Sequence, residues 1–216
     1  LTARGTVYLS GPACFPEELE SLHSIAALLE TSGFNVYLPQ RDGLSALSSK
    51  ATDDGVAAGP DSATLETASF ALDVFLLVER CDCFLFDMNG RVPDGASTFR
   101  AAAAFRAGKP VVLYKRDHRT KLYGNDNAMI TGLSYEFSTV KVTEDLPRKV
   151  AEAIGRCQSF ETGSRGTPYV SILSELGRDI WEALERSVES ESDSPVRLME
   201  EVADICRASE AWRFRS

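Results

Sequence analysis

The chain of 216 residues predicts an α/β fold: a Rossmann-like or flavodoxin-like parallel sheet flanked by helices, with a helical C-terminal extension. Three observations predict it. The stretch FLFDMNGRVPDGASTFRAAAAFRAGKPVVLY, Phe84 to Tyr114, reads strand, turn, helix, strand, which is a right-handed crossover between parallel strands. The N-terminus repeats the arrangement, with TVYLS at Thr6–Ser10, a helical run, then FNVYL at Phe34–Leu38. Beyond a Gly/Ser break, ETGSRGT, the apolar spacing is helical only. The predicted domains are 1–160 and 161–216.

Each element has its own signals. Pro16 followed by Glu17 and Glu18 opens the first helix, since Pro suits the first turn and acids complement its dipole. Leu19, Leu22, Ile25, Ala26 and Leu29 recur at helical spacing, and Ser32-Gly33 ends the run. Pro39 stops the second strand. The polar, glycine-containing stretch from Gln40 to about Ser62 is long for a connection and reads as a mobile loop or lid. A helix over Thr64–Glu79 leads into the central strand, which ends at Asp87. Gly108 stops the alanine-rich helix, and Val111–Tyr114 is the next strand. Glu136–Val142 is expected as a last strand, Glu144–Cys157 as a helix, and Tyr169–Ser187 and Pro195–Ala211 as the two helices of the extension. The extension's Trp181, Trp212 and apolar stripes serve packing on the chain's own core, a sister subunit or another protein.

Composition narrows the function. A net charge of −9 and pI near 4.8 exclude a broad nucleic-acid face, which needs clustered Lys and Arg. A small anionic ligand remains compatible. Five cysteines without a regular framework argue against a disulfide-stapled secreted domain. Cys81 and Cys83, two apart on a strand, are expected on one face as buried thiols rather than as a metal site. No run reaches the roughly 18 apolar residues of a membrane span. The expectation is a cytoplasmic protein without a cofactor or metal.

In open parallel sheets ligands bind beyond the carboxyl ends of the strands. Asp87, Asp94, Ser97 and Thr98 are expected there. Asp94 either caps the helix or acts as a hydrogen-bond acceptor or acid/base group. Ser97 and Thr98 either satisfy helix N–H groups or leave them for an anion. Tyr8 sits on the first strand near Gly11, where the missing side chain permits close approach of a ligand, and it serves the site or the core.

VYLSGP at Val7–Pro12, the block Cys81–Tyr114 and DNAMITGL at Asp126–Leu133 together resemble the nucleoside 2-deoxyribosyltransferases and the related nucleotide N-glycosidases. The resemblance spans roughly Thr6 to Gly155 and leaves out the helices beyond Gly163. It implies a Rossmann-like homo-oligomer that acts on the N-glycosidic bond of a nucleoside or nucleotide. It further implies a glutamate nucleophile near the start of the central helix, which traps an oxocarbenium-like transition state. Tyr8 matches the strand-one tyrosine that orients the nucleophile, and Asp94 the aspartate that contacts the substrate. Asn127 and Met129 lie on the loop that closes the site, Asn127 matching a residue that reaches a neighbouring subunit's site. Asp73 falls one position from the proton-handling acid, and an ungapped count puts Val74 there. The same count puts Arg100 at the nucleophile. Arginine is cationic and essentially never deprotonated, so it cannot attack carbon. Arg100 instead either binds a phosphate or carboxylate beside Ser97 and Thr98 or points to solvent. The implied functions are therefore an enzyme using Asp94 or Asp73 with water, a binding module without catalysis, or an assembly protein.

Overall fold

The computed structural model describes residues 4–43, 46, 62–90, 92–117 and 126–159, together with 179, 186, 204, 205 and 208. The chain divides into two compact units, Leu1–Ser159 and Phe160–Ser216. In the second unit the five described residues, Asp179, Arg186, Asp204, Ile205 and Ala208, are helical. The Gly/Ser break and the two tryptophans lie outside the described residues, as do most of the predicted lid and residues 118–125 of the loop after Tyr114.

The first unit is a five-stranded parallel sheet in the order β2-β1-β3-β4-β5. Its strands are β1 (Thr6–Ser10), β2 (Asn35–Tyr37), β3 (Cys83–Asp87), β4 (Val111–Tyr114) and β5 (Ser134–Val140). Helices α1 (Pro16–Thr31) and α6 (Leu146–Ser159) cover one face. Helix α3 (Ser62–Phe75) with the π turn Leu76–Arg80, and helix α4 (Gly95–Arg106), stand on the other side, where the π turn and α4 pack on the strands. Two short helices, α2 (Pro39–Asp42) and α5 (Ala128–Thr131), follow β2 and precede β5. The strand order reverses direction between β1 and β3, the position at which doubly wound sheets open a crevice.

The period-2 alternation of the strands divides the core. Val7, Leu9, Cys83, Leu85 and Val112 point toward α1 and α6 and pack with Leu22, Ile25, Leu29, Val150 and Ile154. Tyr8, Phe84, Phe86, Val111 and Leu113 point the other way, toward Leu77, Ala101 and Ala104. Ala101 and Ala104 are wholly buried, so the alanine run is the contact face of α4 and allows close approach to the sheet. Asp94 caps α4 by accepting from the Ser97 N–H at 2.7 Å. Glu18 reaches back from the first turn of α1 to accept from the backbone N–H groups of Cys14 and Phe15 at 2.9 and 3.2 Å.

Several boundaries differ from the sequence reading. Gln40–Asp42 are helical, because the Asp42 carboxylate accepts from the Leu38 N–H at 2.9 Å and closes a turn directly after Pro39. Helix α3 does not continue to Glu79 as α-helix but widens at Leu76 into the π turn. The last strand begins at Ser134, and Thr143–Asp145 form a 3₁₀ turn before α6 starts at Leu146. Cys81 and Cys83 do not share a face. Cys81 lies just outside β3 and packs with Leu77 and Phe84, whereas Cys83 packs with Val7 and Leu85. Among the described residues no helix is long and apolar enough to cross a membrane.

Gly11 ends β1 for a steric reason. A Cβ there would stand 2.7 Å from the Asp87 Cβ and 3.1 Å from a Leu22 methyl. Gly11→Ala is therefore expected to destabilise the fold by about 1–3 kcal/mol, the usual cost of overpacking. Denaturant titration followed by circular dichroism measures it, with Gly95→Ala, where a Cβ has open space, as the tolerated control.

Candidate functional site

A hydrogen-bonded group joins β1, α3 and α4 on the face of the sheet opposite α1. The Tyr8 hydroxyl donates to Asp73 Oδ1 at 2.8 Å. Arg100 donates from Nε and Nη2 to the other oxygen, Asp73 Oδ2, at 3.0 and 2.6 Å. Both carboxylate oxygens are thus engaged, and the arginine faces inward rather than solvent. Tyr8 is wholly buried, stacked on Phe84 and tilted against Tyr37 with ring centroids 5.6 and 5.1 Å away. Burial pushes the Tyr8 phenol well above its ordinary value, Arg100 pulls it partly back, and Asp73 raises it again. Burial likewise pushes Tyr37 up to about 12, with Asp73 and Asp42 adding to the effect. Burial alone would lower Arg100, but Tyr8 and Asp73 more than offset it and the guanidinium stays charged.

A second group adjoins the first on α4. The Ser97 hydroxyl donates to Asp94 Oδ2 at 2.6 Å and lies 2.8 Å from the Ser10 hydroxyl, which must then donate to it. Thr98 donates its hydroxyl to the Asp94 backbone oxygen at 2.8 Å. Asp94 thus takes its capping role, whereas the Ser97 and Thr98 hydroxyls donate to Asp94 instead of accepting from helix N–H groups. Asp94 Oδ1 accepts no hydrogen bond among the described residues. Asp94 is close enough to Arg100 to favour its charge. The side chains of Ser97, Thr98 and Arg100 all hold protein partners.

Asp87 does not join these groups. It ends β3 on the α1 side, is 2% exposed, and accepts from the Asn89 N–H and Nδ2 at 2.9 and 2.6 Å. Burial raises its carboxyl above the usual range against the pull of these bonds. It lines a cleft of about 620 Å³ with Pro12, Glu17, Glu18, Ser21 and Arg116 among others. Gly11 is filled by Asp87 itself, so its missing side chain serves packing. Asn127 and Met129 are exposed on α5, with Asn127 accepting from the Met129 N–H at 2.9 Å as its cap. That turn is fixed by an ion pair between Asp126 and the buried Lys115 at the exit of β4.

Sequence reasoning passed over Ser10, Tyr37, Asn89 and Lys115. Tyr37 was legible, because β2 pairs with β1 and register opposes it to Tyr8. Of the two neighbours on α3, Asp73 meets Tyr8 while Val74 is exposed. Between α3 and β3 the chain widens into a π turn, closed by the Cys81 N–H donating to the Leu76 carbonyl at 2.8 Å.

A parallel sheet in flavodoxin order, with a tyrosine, two acids and an arginine gathered beside its switch point, defines a Rossmann-like small-molecule protein. The family model for nucleoside 2-deoxyribosyltransferase matches residues 7–143, well over half of the chain, and the chain belongs to that family. The fold is similar to that of the 2-deoxyribosyltransferase of Bacillus psychrosaccharolyticus, with 18% identity over 66% of this chain and 90% of that one, at a TM-score of 0.50. A conserved protein from Enterococcus faecalis matches at 20% identity over 70% and 98% of the two chains, TM-score 0.49. The CMP N-glycosidase of Clostridium botulinum matches at 20% identity over 67% and 95%, TM-score 0.39. No curated protein matches the chain.

Asp73→Ala leaves Arg100 and the wholly buried Tyr8 without their acceptor. It is expected to cost roughly 2–3 kcal/mol, below the value for a fully buried ion pair because the Arg100 and Asp73 side chains are each about one-fifth exposed. Urea titration reads it. The folded Tyr8 phenol keeps its proton to higher pH than the unfolded one, so its contribution is complete below about pH 10 and is lost as pH rises further. Tyr8→Phe should flatten the alkaline decline in stability, read as Tm from pH 8 to 11.

Proposed function

We propose that the protein binds a nucleoside or nucleotide at the carboxyl ends of β1 and β3 and hydrolyses its N-glycosidic bond without a glycosyl-enzyme intermediate. The observation that carries this reading is the Tyr8–Asp73–Arg100 group. Residues far apart in sequence meet at the switch point, at places where the family resemblance puts reactive groups. By the resemblance Arg100 takes the position of the nucleophile, and an arginine cannot form a bond to the anomeric carbon. Of the acids in the two groups, Asp94 alone keeps an unengaged oxygen among the described residues. In this reading its carboxylate accepts a proton from water, the water oxygen bonds to the anomeric carbon, and the base leaves with the electron pair of the broken bond and takes up a proton from solvent, Asp94 returning its own to solvent. The negative charge of Asp94 also favours the positive charge that develops on the sugar.

A second reading is a binding module without turnover. It is supported by the double engagement of Asp73, whose carboxylate is matched by Arg100 and Tyr8 and holds no free oxygen for proton transfer.

Chromatography of free base after incubation with 2′-deoxynucleosides and their 5′-monophosphates separates the two, with and without an acceptor base. Hydrolysis predicts base release that an acceptor does not divert into a new nucleoside, and Asp94→Asn should slow it about 100-fold, the lower range for loss of a general base. Base exchange by the natural protein would contradict the hydrolytic route. Silence of the natural protein, with exchange by Arg100→Glu, would establish the binding module.

A further inference from the structure

Strand β1 reaches both acids of the candidate site from one face. Alternation points Val7 and Leu9 to the α1 side, and Tyr8 and Ser10 to the side of α3 and α4. Tyr8 donates to Asp73 on α3 at 2.8 Å. Ser10, two residues further on, lies 2.8 Å from the Ser97 hydroxyl on α4, and Ser97 donates to Asp94 at 2.6 Å. Ser10 and Ser97 are both wholly buried. A buried hydroxyl forfeits its hydration, which an apolar side chain of similar size in the same place would not. The N-cap of α4 is Asp94, so capping does not account for Ser10.

The order of protons in this chain follows from its end. An ionised carboxylate only accepts, so Ser97 gives Asp94 its one hydroxyl proton, and Ser10 must give its own to Ser97. The Ser97 N–H meets the same carboxylate oxygen, Oδ2, at 2.7 Å. Asp94 Oδ2 therefore holds two donors, while Oδ1 accepts none among the described residues. The Ser10 bond matters here because a helical serine otherwise turns its hydroxyl to the carbonyl one turn back. With a lone pair of Ser97 engaged by Ser10, its proton is directed at Asp94, and successive bonds in a chain strengthen one another. Resting on the hydrolytic reading above, we propose that Ser10 is a positioning residue: acting through Ser97, it fixes the Asp94 carboxylate with Oδ2 engaged and Oδ1 left for the attacking water.

Steady-state kinetics of base release by the full chain test this, with 2′-deoxynucleosides and their 5′-monophosphates as the panel. The proteins compared are the natural one, Ser10→Ala, Ser97→Ala, Asp94→Asn and the double variant Ser10→Ala with Asp94→Asn. Ser10→Ala is expected to lower kcat about fivefold, the factor that corresponds to one net hydrogen bond, with KM within about twofold. In the Asp94→Asn background the same substitution should change kcat by less than about twofold, because its effect passes through that carboxylate. Thermal denaturation confirms that each variant is folded. Ser97→Ala, which keeps its backbone N–H for Asp94, carries the test if Ser10→Ala does not fold. An equal fall in kcat on both backgrounds would mean that the serine acts only through the fold and would overturn the proposal. A kcat unchanged in Ser10→Ala and Ser97→Ala, with Asp94→Asn slow, would overturn it too, while leaving the hydrolytic reading intact. Base release that Asp94→Asn leaves unchanged, or no release from any member of the panel, would overturn both.

Discussion

The carboxylate of Asp73 is the fixed point of the first unit's functional face. One oxygen takes the hydroxyl of a tyrosine from the centre of the sheet, and the other takes a guanidinium from the helix between β3 and β4. The contact has consequences in both directions. Tyr8 is wholly buried and would otherwise leave its hydroxyl unpaired inside the aromatic cluster. Arg100, whose side chain is about one-fifth exposed, would otherwise carry an unmatched charge. A single acid thereby permits both residues to face inward. The separation of helix α3 from helix α4 is set by the reach of an arginine to an aspartate.

That arrangement also decides which chemistry the site can support. A nucleophilic carboxylate at position 100 would stand near Asp73 and Asp94, and three negative charges in a partly buried space would compete for protons. With arginine at that position one positive charge faces the two carboxylates, and Asp73 accepts hydrogen bonds from both Arg100 and Tyr8. This is why the proposed route assigns the bond-making step to water and the charge to Asp94, which lies outside the matched pair and keeps one oxygen open.

Much of the fold was legible, and for identifiable reasons. The two βαβ segments carry strong punctuation, Pro16 and Gly33 around the first helix and Gly108 after α4, so their elements and the parallel sheet followed from the sequence alone. Tyr8 and Asp94 were singled out by nearby turn signals, Gly11 and Gly95, and Arg100 by the family resemblance. Positions that depend on how one element turns relative to another were harder. Asp73 was singled out from the sequence, but its contact with Tyr8 and Arg100 depends on how α3 lies against the sheet, which local propensity does not signal. Cys81 was assigned to the face of Cys83 because the chain leaves the strand between them. Asp87 was grouped with Asp94, although strand alternation carries it to the opposite side of the sheet, where it faces α1.

The ion pair of Lys115 with Asp126 has a different kind of consequence. It ties together the two ends of the segment that separates β4 from α5, with the lysine almost wholly buried. The cost of closing a chain segment depends only weakly on its length, each doubling adding about 0.6 kcal/mol. A pairing of this kind therefore holds the positions of Asn127 and Met129 by what anchors their turn to the end of β4 and not by the number of residues in between.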